Sequence, residues 1–178
     1  MYNLLILSGP DGETGAAMRY LSQRYGMPSD KVKGLLTDIG TEELAHMEII
    51  SAIIFQLTRN LNVDDLRKGG FDPYYIDHTT GIYPVDASGN PFSALTFQST
   101  GDAIADLHED LAAEQKARLT YDNILRIADD PDVRDPIRFL RARELVHFQR
   151  FGEALRITQE GLDAKNFYAF NPQFDQTN

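Results

Sequence analysis

Two residues, Glu43 and His46, sit inside an apolar run whose spacing admits one local geometry. Val32, Leu36, Ile39, Glu43, His46, Ile50, Ile53 and Leu57 follow one another in steps of three and four, which places all eight on a single helical stripe. The acid and the imidazole therefore fall in the phase expected of the core. An unpaired carboxylate is costly to bury and is held there only by a compensating partner. A metal ion is one such partner, and it uses the imidazole as well.

The arrangement occurs a second time. Glu144 and His147 lie within Ile137, Leu140, Glu144, His147, Phe151 and Ala154, again in steps of three and four and again in the apolar phase. With nine Glu and four His in the chain, about 0.2 copies of Glu-x-x-His are expected by chance, so two copies are an accident of about one in fifty before phase is considered.

The 178 residues, 42% of them hydrophobic, suffice for one domain with a substantial core, and a single domain over 1–178 is expected. A formal charge of −10, from 27 acidic and 17 basic residues, argues against nucleic acid or an anionic membrane as partner, since phosphate recognition needs basic clusters. The absence of cysteine excludes disulfide scaffolds, zinc–thiolate sites, iron–sulfur clusters and thiol nucleophiles, so any metal is held by oxygen and nitrogen. The apolar lead Met1 to Ser8 has no basic segment and is short for a signal sequence, and no run reaches membrane-spanning length; a cytoplasmic protein is expected.

Along the chain, the turn Ser8-Gly-Pro-Asp-Gly12 offers Asp11 as a cap for a helix from about Glu13 to Tyr25, with Glu13, Ala16 or Ala17, and Tyr20 facing inward. Taken on that helix alone, Glu13 reads as a solvated first-turn carboxylate favoured by the helix dipole. A second helix spans about Asp30 to Arg59. Gly40 within it costs about 1 kcal/mol against Ala and points to close packing or a local bulge beside Glu43. Residues 60 to about 100 alternate Gly and Pro with Phe and Tyr, the pattern of a long ordered connection, and His78 within it is expected on the surface.

Ser99 or Thr100 is expected to cap a third helix running to about Ala128, with Ile104, Leu107, Leu111, Glu114, Arg118 or Ala117, Tyr121 and Leu125 inward. Asp106 and Asp110 share the side of Glu114 and could support a site from behind its ligands, but two exposed acids are the expectation. His108 lies about 600° of helical turn from Glu114 and points elsewhere. After Asp129-Asp130-Pro131-Asp132, a fourth helix carries Glu144 and His147 to about Thr158. The aromatic tail from 160 to 178 is expected to wrap over the domain or a neighbouring subunit.

Each half of the chain thus supplies one helix with a lone Glu and one with Glu-x-x-His. Two such hairpins joined by a crossover between helices 2 and 3 give an all-α, ferritin-like four-helix bundle, in which four acids and two imidazoles converge as the ligand set of a dimetal centre. No Lys or Arg is placed to neutralise all four acids, whereas two divalent cations would. Oxygen-rich ligands with imidazole suit manganese or iron better than copper or zinc.

The stretches Gly9-Pro-Asp-Gly-Glu13, Gly34-Leu-Leu-Thr-Asp-Ile-Gly-Thr-Glu-Glu-Leu-Ala-His46, Ala113-Glu114 with Ala117-Arg118, and Arg143-Glu-Leu-Val-His147 resemble the manganese catalases, above all their short spore-coat J-type branch. The resemblance covers nearly the whole chain. It implies Glu13 and His46 on one manganese, Glu114 and His147 on the other, and Glu43 bridging; Glu144 becomes the acid–base group and Tyr20 a hydrogen-bonding partner at the site. It also implies dismutation of hydrogen peroxide and a homo-oligomer, hexameric in the family. Two alternatives accompany it: a structural coat protein that retains the bundle, and a ferroxidase-like di-iron protein.

Overall fold

The computed structural model describes residue 9 and residues 12–82 and 92–163, without the side chains of Asp77 and His78. Asp11 as a cap, the orientation of His78, part of the aromatic crossover and the tail beyond residue 163 lie outside the described residues.

Among the described residues six α-helices follow in order: α1 (Glu13–Gln23), α2 (Asp30–Thr58), α3 (Val63–Gly69), α4 (Asp72–His78), α5 (Ala103–Ile127) and α6 (Pro131–Asp163). The first helix tightens into a 3-10 turn at Arg24–Gly26 before Met27 and Pro28 leave it, so it ends two residues before the expected Tyr25. Ser29 then caps α2 by accepting from the Val32 N–H at 3.3 Å. Within the crossover, Asn62 and Asp65 form a reciprocal capping box that starts α3, and Gly70, at φ +71°, ends it in the left-handed conformation.

Asp102, not Ser99 or Thr100, caps α5, accepting from the N–H groups of Ile104 and Ala105 at 3.0 and 2.9 Å. The last helix continues to Asp163, five residues past the expected end.

The four long helices form a ferritin-like bundle. α1 packs on α2, α5 packs on α6, and the two hairpins meet where α2 touches α6 and α1 touches α5. Gly40 permits a close approach of α1 to α2. A Cβ there would lie 2.9 Å from Leu21 Cγ and 3.3 Å from Tyr20 Cβ, so close packing, not a bulge, explains the residue in an unbroken helix. The crossover is tied down at both ends: Thr58 Oγ1 lies 3.4 Å from the Thr80 carbonyl, while Arg19 and Gln23 donate to the carbonyls of Thr96 and Gln98 at 2.7 and 3.2 Å. Among the described residues no helix is long and apolar enough to cross a membrane.

Packing along the bundle axis falls into three layers. One end is apolar, built from Ile50, Ile53, Ile54, Ala117, Tyr121, Ile124, Val133, Ile137 and Leu140. The other is also apolar, with Tyr20, Met27, Val32, Leu36, Ile39, Leu107 and Phe151. Between them, each long helix carries its acid or its acid–imidazole pair. The α2 stripe departs from expectation only at its end, where Ile54 is buried and Leu57 is 46% exposed; the 3.6-residue repeat drifts away from a strict three-four alternation over that length.

Candidate metal centre

All six residues singled out as candidate ligands meet in the middle layer. Glu13, Glu43, His46, Glu114, Glu144 and His147 are each at most 2% exposed. Helical periodicity places them: Glu43 and His46 one turn apart on α2, Glu144 and His147 one turn apart on α6, with Glu13 in the first turn of α1 and Glu114 midway along α5. Glu13 is therefore not the solvated carboxylate its own helix suggested.

Glu43 occupies the centre. Its Oε2 is 2.7 Å from His46 Nδ1 and its Oε1 is 2.7 Å from His147 Nδ1. The two rings lie nearly parallel, 5.4 Å apart at an interplanar angle of 18°. Glu13 Oε2 stands 3.9 Å from His46 Nδ1, and Glu114 Oε2 stands 3.5 Å from His147 Nδ1. The site thus has two halves, each with one imidazole and one acid, sharing Glu43. Glu144 Oε1 is 3.7 Å from His46 Nδ1. Glu43, His46, Glu144 and His147 each offer a ligand atom within 4.8 Å of the others.

The electrostatics follow from crowding acids in a dry layer. Burial raises Glu13 well above the ordinary carboxylate range, reinforced by Glu43 and Glu114. Burial raises Glu144 likewise, reinforced by Glu114, Glu13 and Glu43. Burial would also raise Glu43, but the imidazoles of His147 and His46 outweigh it and bring the group down to about 2. His147, which burial alone would lower, is pushed up to about 10 by Glu114 and Glu43.

The donor atoms are poorly satisfied by one another. Both oxygens of Glu43, both ring nitrogens of each histidine, and one oxygen each of Glu13, Glu114 and Glu144 are buried without an aligned hydrogen bond. Unpaired buried donors and acceptors of this number are costly, and cations between them would remove the cost. Oxygen and imidazole nitrogen are also the ligand types that manganese accepts, so the residues fit a dinuclear centre.

Tyr20 reaches the site from α1, its hydroxyl donating a short hydrogen bond to Glu114 Oε1 on α5. Its hydroxyl is held protonated by burial and by the neighbouring Glu114 and Asp110.

Two expectations from the sequence are corrected. Asp106 and Asp110 are fully buried, not exposed. Asp106 is enclosed by the loop entering α5, accepting from the N–H and hydroxyl of Thr100 at 2.9 and 2.6 Å and from the Gly101 N–H at 3.2 Å. Asp110 lies beside Arg19, Gln23 and Glu114, and burial raises it well above its ordinary value. The sequence carried a signal for both, since Asp110 falls three residues after Leu107 and four before Glu114, and Asp106 one turn before Asp110, but their polarity weighed against a core assignment.

The residue missed altogether is Glu42. It sits at the seam of α2 and α6, with Oε1 3.5 Å from His46 Nε2 and Oε2 3.2 Å from His147 Nε2. Arg143 grips both oxygens, Nε to Oε1 at 2.5 Å and Nη2 to Oε2 at 3.0 Å. Burial opposes its charge, but Arg143 and His147 lower it to about 2. Its signal was available: Glu42 precedes His46 by four residues, and Arg143 precedes His147 by four.

Fold and donors together define a ferritin-like dimetal-carboxylate bundle. The sequence matches the family described as manganese containing catalase over residues 3–170, and the chain belongs to that family, whose dimanganese centre the donor set fits. It is 51% identical over 160 residues to protein CotJC of Bacillus subtilis (strain 168), covering 90% of this chain and 84% of that one. It is 39% identical over 157 residues to the "Probable manganese catalase" of Clostridium acetobutylicum, covering 87% and 69%. Among solved structures it is similar to KatB, a manganese catalase from Anabaena PCC7120, with a TM-score of 0.77 and 26% identity over 99% of this chain and 75% of that one.

Proposed function

We propose that this protein is a dimanganese catalase that dismutates hydrogen peroxide to dioxygen and water. The observation that carries the reading is the central carboxylate: Glu43 offers one oxygen to each of two parallel imidazoles, with a further acid beside each half. Glu13 and His46 would hold one manganese, Glu114 and His147 the other, and Glu43 both. When bound, a manganese pair would accept two electrons in the oxidative half-reaction and give them back in the reductive one by passing between the trivalent and divalent states, without haem.

The remaining chemistry is proton handling by the chain. Oxidation of one peroxide to dioxygen releases two protons, and reduction of a second to two waters consumes them. Glu144 is buried among three other acids, all of which favour its neutral form. Of the two protons it carries one, taken at Oε1 by its ionised form in the oxidative half-reaction and returned in the reductive one, as a general acid–base group, while the second exchanges with solvent. Tyr20 holds the Glu114 carboxylate in place through its hydroxyl.

Metal analysis of the purified protein with oxygen evolution from peroxide tests this reading. Glu144→Gln is expected to keep both metals and lose about 10²–10⁴-fold in rate, whereas Glu43→Gln is expected to weaken metal binding itself. Loss of a metal in Glu144→Gln would make that residue a ligand and favour the di-iron alternative. Full manganese with no oxygen evolution in the unaltered protein would favour the structural coat reading. A homo-oligomer, hexameric by resemblance, belongs to the same proposal; Leu95 and Ile76 of the crossover are 90% and 80% exposed, which suits contact with other copies. Light scattering that finds a stable monomer at micromolar concentration would remove this part.

A further inference from the structure

The two imidazoles of the centre lie between two adjacent carboxylates of one helix. On their inner side both Nδ1 atoms face Glu43, at 2.7 Å each. On their outer side the only carboxylate within 4 Å of either Nε2, among the described residues, is Glu42, at 3.5 Å from His46 and 3.2 Å from His147. Because the rings are parallel and 5.4 Å apart, a single carboxylate spans both. Each of its oxygens serves one imidazole and one nitrogen of Arg143: Oε1 takes His46 and Nε, Oε2 takes His147 and Nη2. The contacts to the rings are ion-pair contacts, not aligned hydrogen bonds.

An imidazole that ligates a metal through one nitrogen must carry its proton on the other, and an acceptor behind the ring fixes both the tautomer and the ring plane. Separate partners for the two histidines would let each half of the centre be set independently. Here one carboxylate sets both. We propose that Glu42, clamped by Arg143, is a positioning residue common to the two halves of the metal centre, holding both Nε2 atoms outward so that both Nδ1 atoms point at the metal positions. The inference rests on the dimetal reading of the site but not on catalase activity.

The shared carboxylate has a distinctive consequence. In Glu42→Gln one acceptor oxygen survives and the other becomes an NH2 group that faces a ring nitrogen and an Arg143 nitrogen. One imidazole keeps its partner while the other meets a donor, which favours the tautomer with its proton on Nδ1. Glu42→Leu removes the partner from both rings. Arg143→Lys keeps the charge at the seam but gives up the two-pronged grip.

The experiment is equilibrium dialysis of the metal-free full chain against Mn(II), with thermal unfolding measured in parallel without metal. The expected result is two-site weakening of about 10–100-fold in Glu42→Leu, weakening confined to one of the two sites in Glu42→Gln, and a smaller two-site loss in Arg143→Lys. If Glu42 and Arg143 only tie α2 to α6, all three variants will melt earlier and bind two Mn(II) with unaltered affinity, and the proposal is overturned. If Glu42→Leu does not fold, Glu42→Gln and Arg143→Lys still decide between the two. Unaltered protein that binds two Mn(II) but evolves no oxygen would defeat the catalase assignment and leave this inference standing.

Discussion

The apolar end of the bundle around Ile50, Ile124 and Ile137 and the polar layer one to two turns away share helices α2, α5 and α6 in the same helical phase, yet they depend on opposite physics. At the apolar end the inward aliphatic positions gain free energy by leaving water, and the Tyr121 hydroxyl is the one polar atom buried there without a hydrogen bond among the described residues. In the polar layer the same phase is occupied by four acids and two imidazoles whose donor atoms are not satisfied by one another. Burial alone makes the first layer stable and the second one unstable. Position in a helical repeat therefore says which residues are inside, and chemistry says whether the inside is complete.

The largest test of this contrast is metal removal. Each bound ion that has no affinity for the unfolded chain adds about 4 kcal/mol at a thousandfold excess over its Kd, so chelation should lower the unfolding temperature strongly. Hydrogen exchange should rise around Glu43 and Glu144 before it rises around Ile50 to Ile54. Metal content should also fall with pH, because protons compete for the carboxylates and imidazoles. An unfolding temperature unchanged by chelator and restored metal would mean that the polar layer is complete without metal, and the contrast would fail.

Next in size is damage to the apolar end. Ile137 is fully buried there, and Ile137→Ala should cost about 2–5 kcal/mol through lost transfer energy and a residual cavity. The folded fraction should retain the full complement of two metals. Parallel loss of metal would show that the two layers are not separable, and that aliphatic packing sets the geometry of the ligands.

The sequence made the frame of this molecule legible and left its second rank of polar groups obscure. Glu43, His46, Glu144 and His147 could be found because each interrupts a long apolar repeat, so that phase alone placed them inside. Glu13 and Glu114 needed the symmetry of the two halves, since each stands alone on its helix. Glu42 fell outside that reasoning: it lies beside the buried stripe, half-exposed, and its role depends on the approach of α6 carrying Arg143, which is tertiary information. Asp106 was hidden for a different reason, because the loop that buries it, with Gly101 at φ +85° and Gln98 at φ +51°, has no periodicity to read.

The smallest expected effect sharpens the contrast from the outside of the apolar end. Asp122 on α5 accepts a short hydrogen bond from Arg141 Nε on α6 and lies 2.7 Å from Arg118 Nη1. The Arg141 hydrogen bond, with the charges of Arg141 and Arg118, holds its carboxyl below the ordinary value. A carboxyl lowered in the folded state adds stability that is fully present above its unfolded value, about 3.9, and is lost as pH falls through the lower folded value. The pair is partly solvated, at 22% and 34% side-chain exposure, so the gain is at most about 1 kcal/mol. Asp122→Asn should therefore lower the unfolding temperature slightly and by the same amount from pH 5 to 8, with the difference from the unaltered protein vanishing as pH falls toward 3 and below. Metal content should not change. A loss comparable to that of Ile137→Ala, or one that persists in acid, would show that the apolar end is held by its charged seam as much as by its aliphatic core.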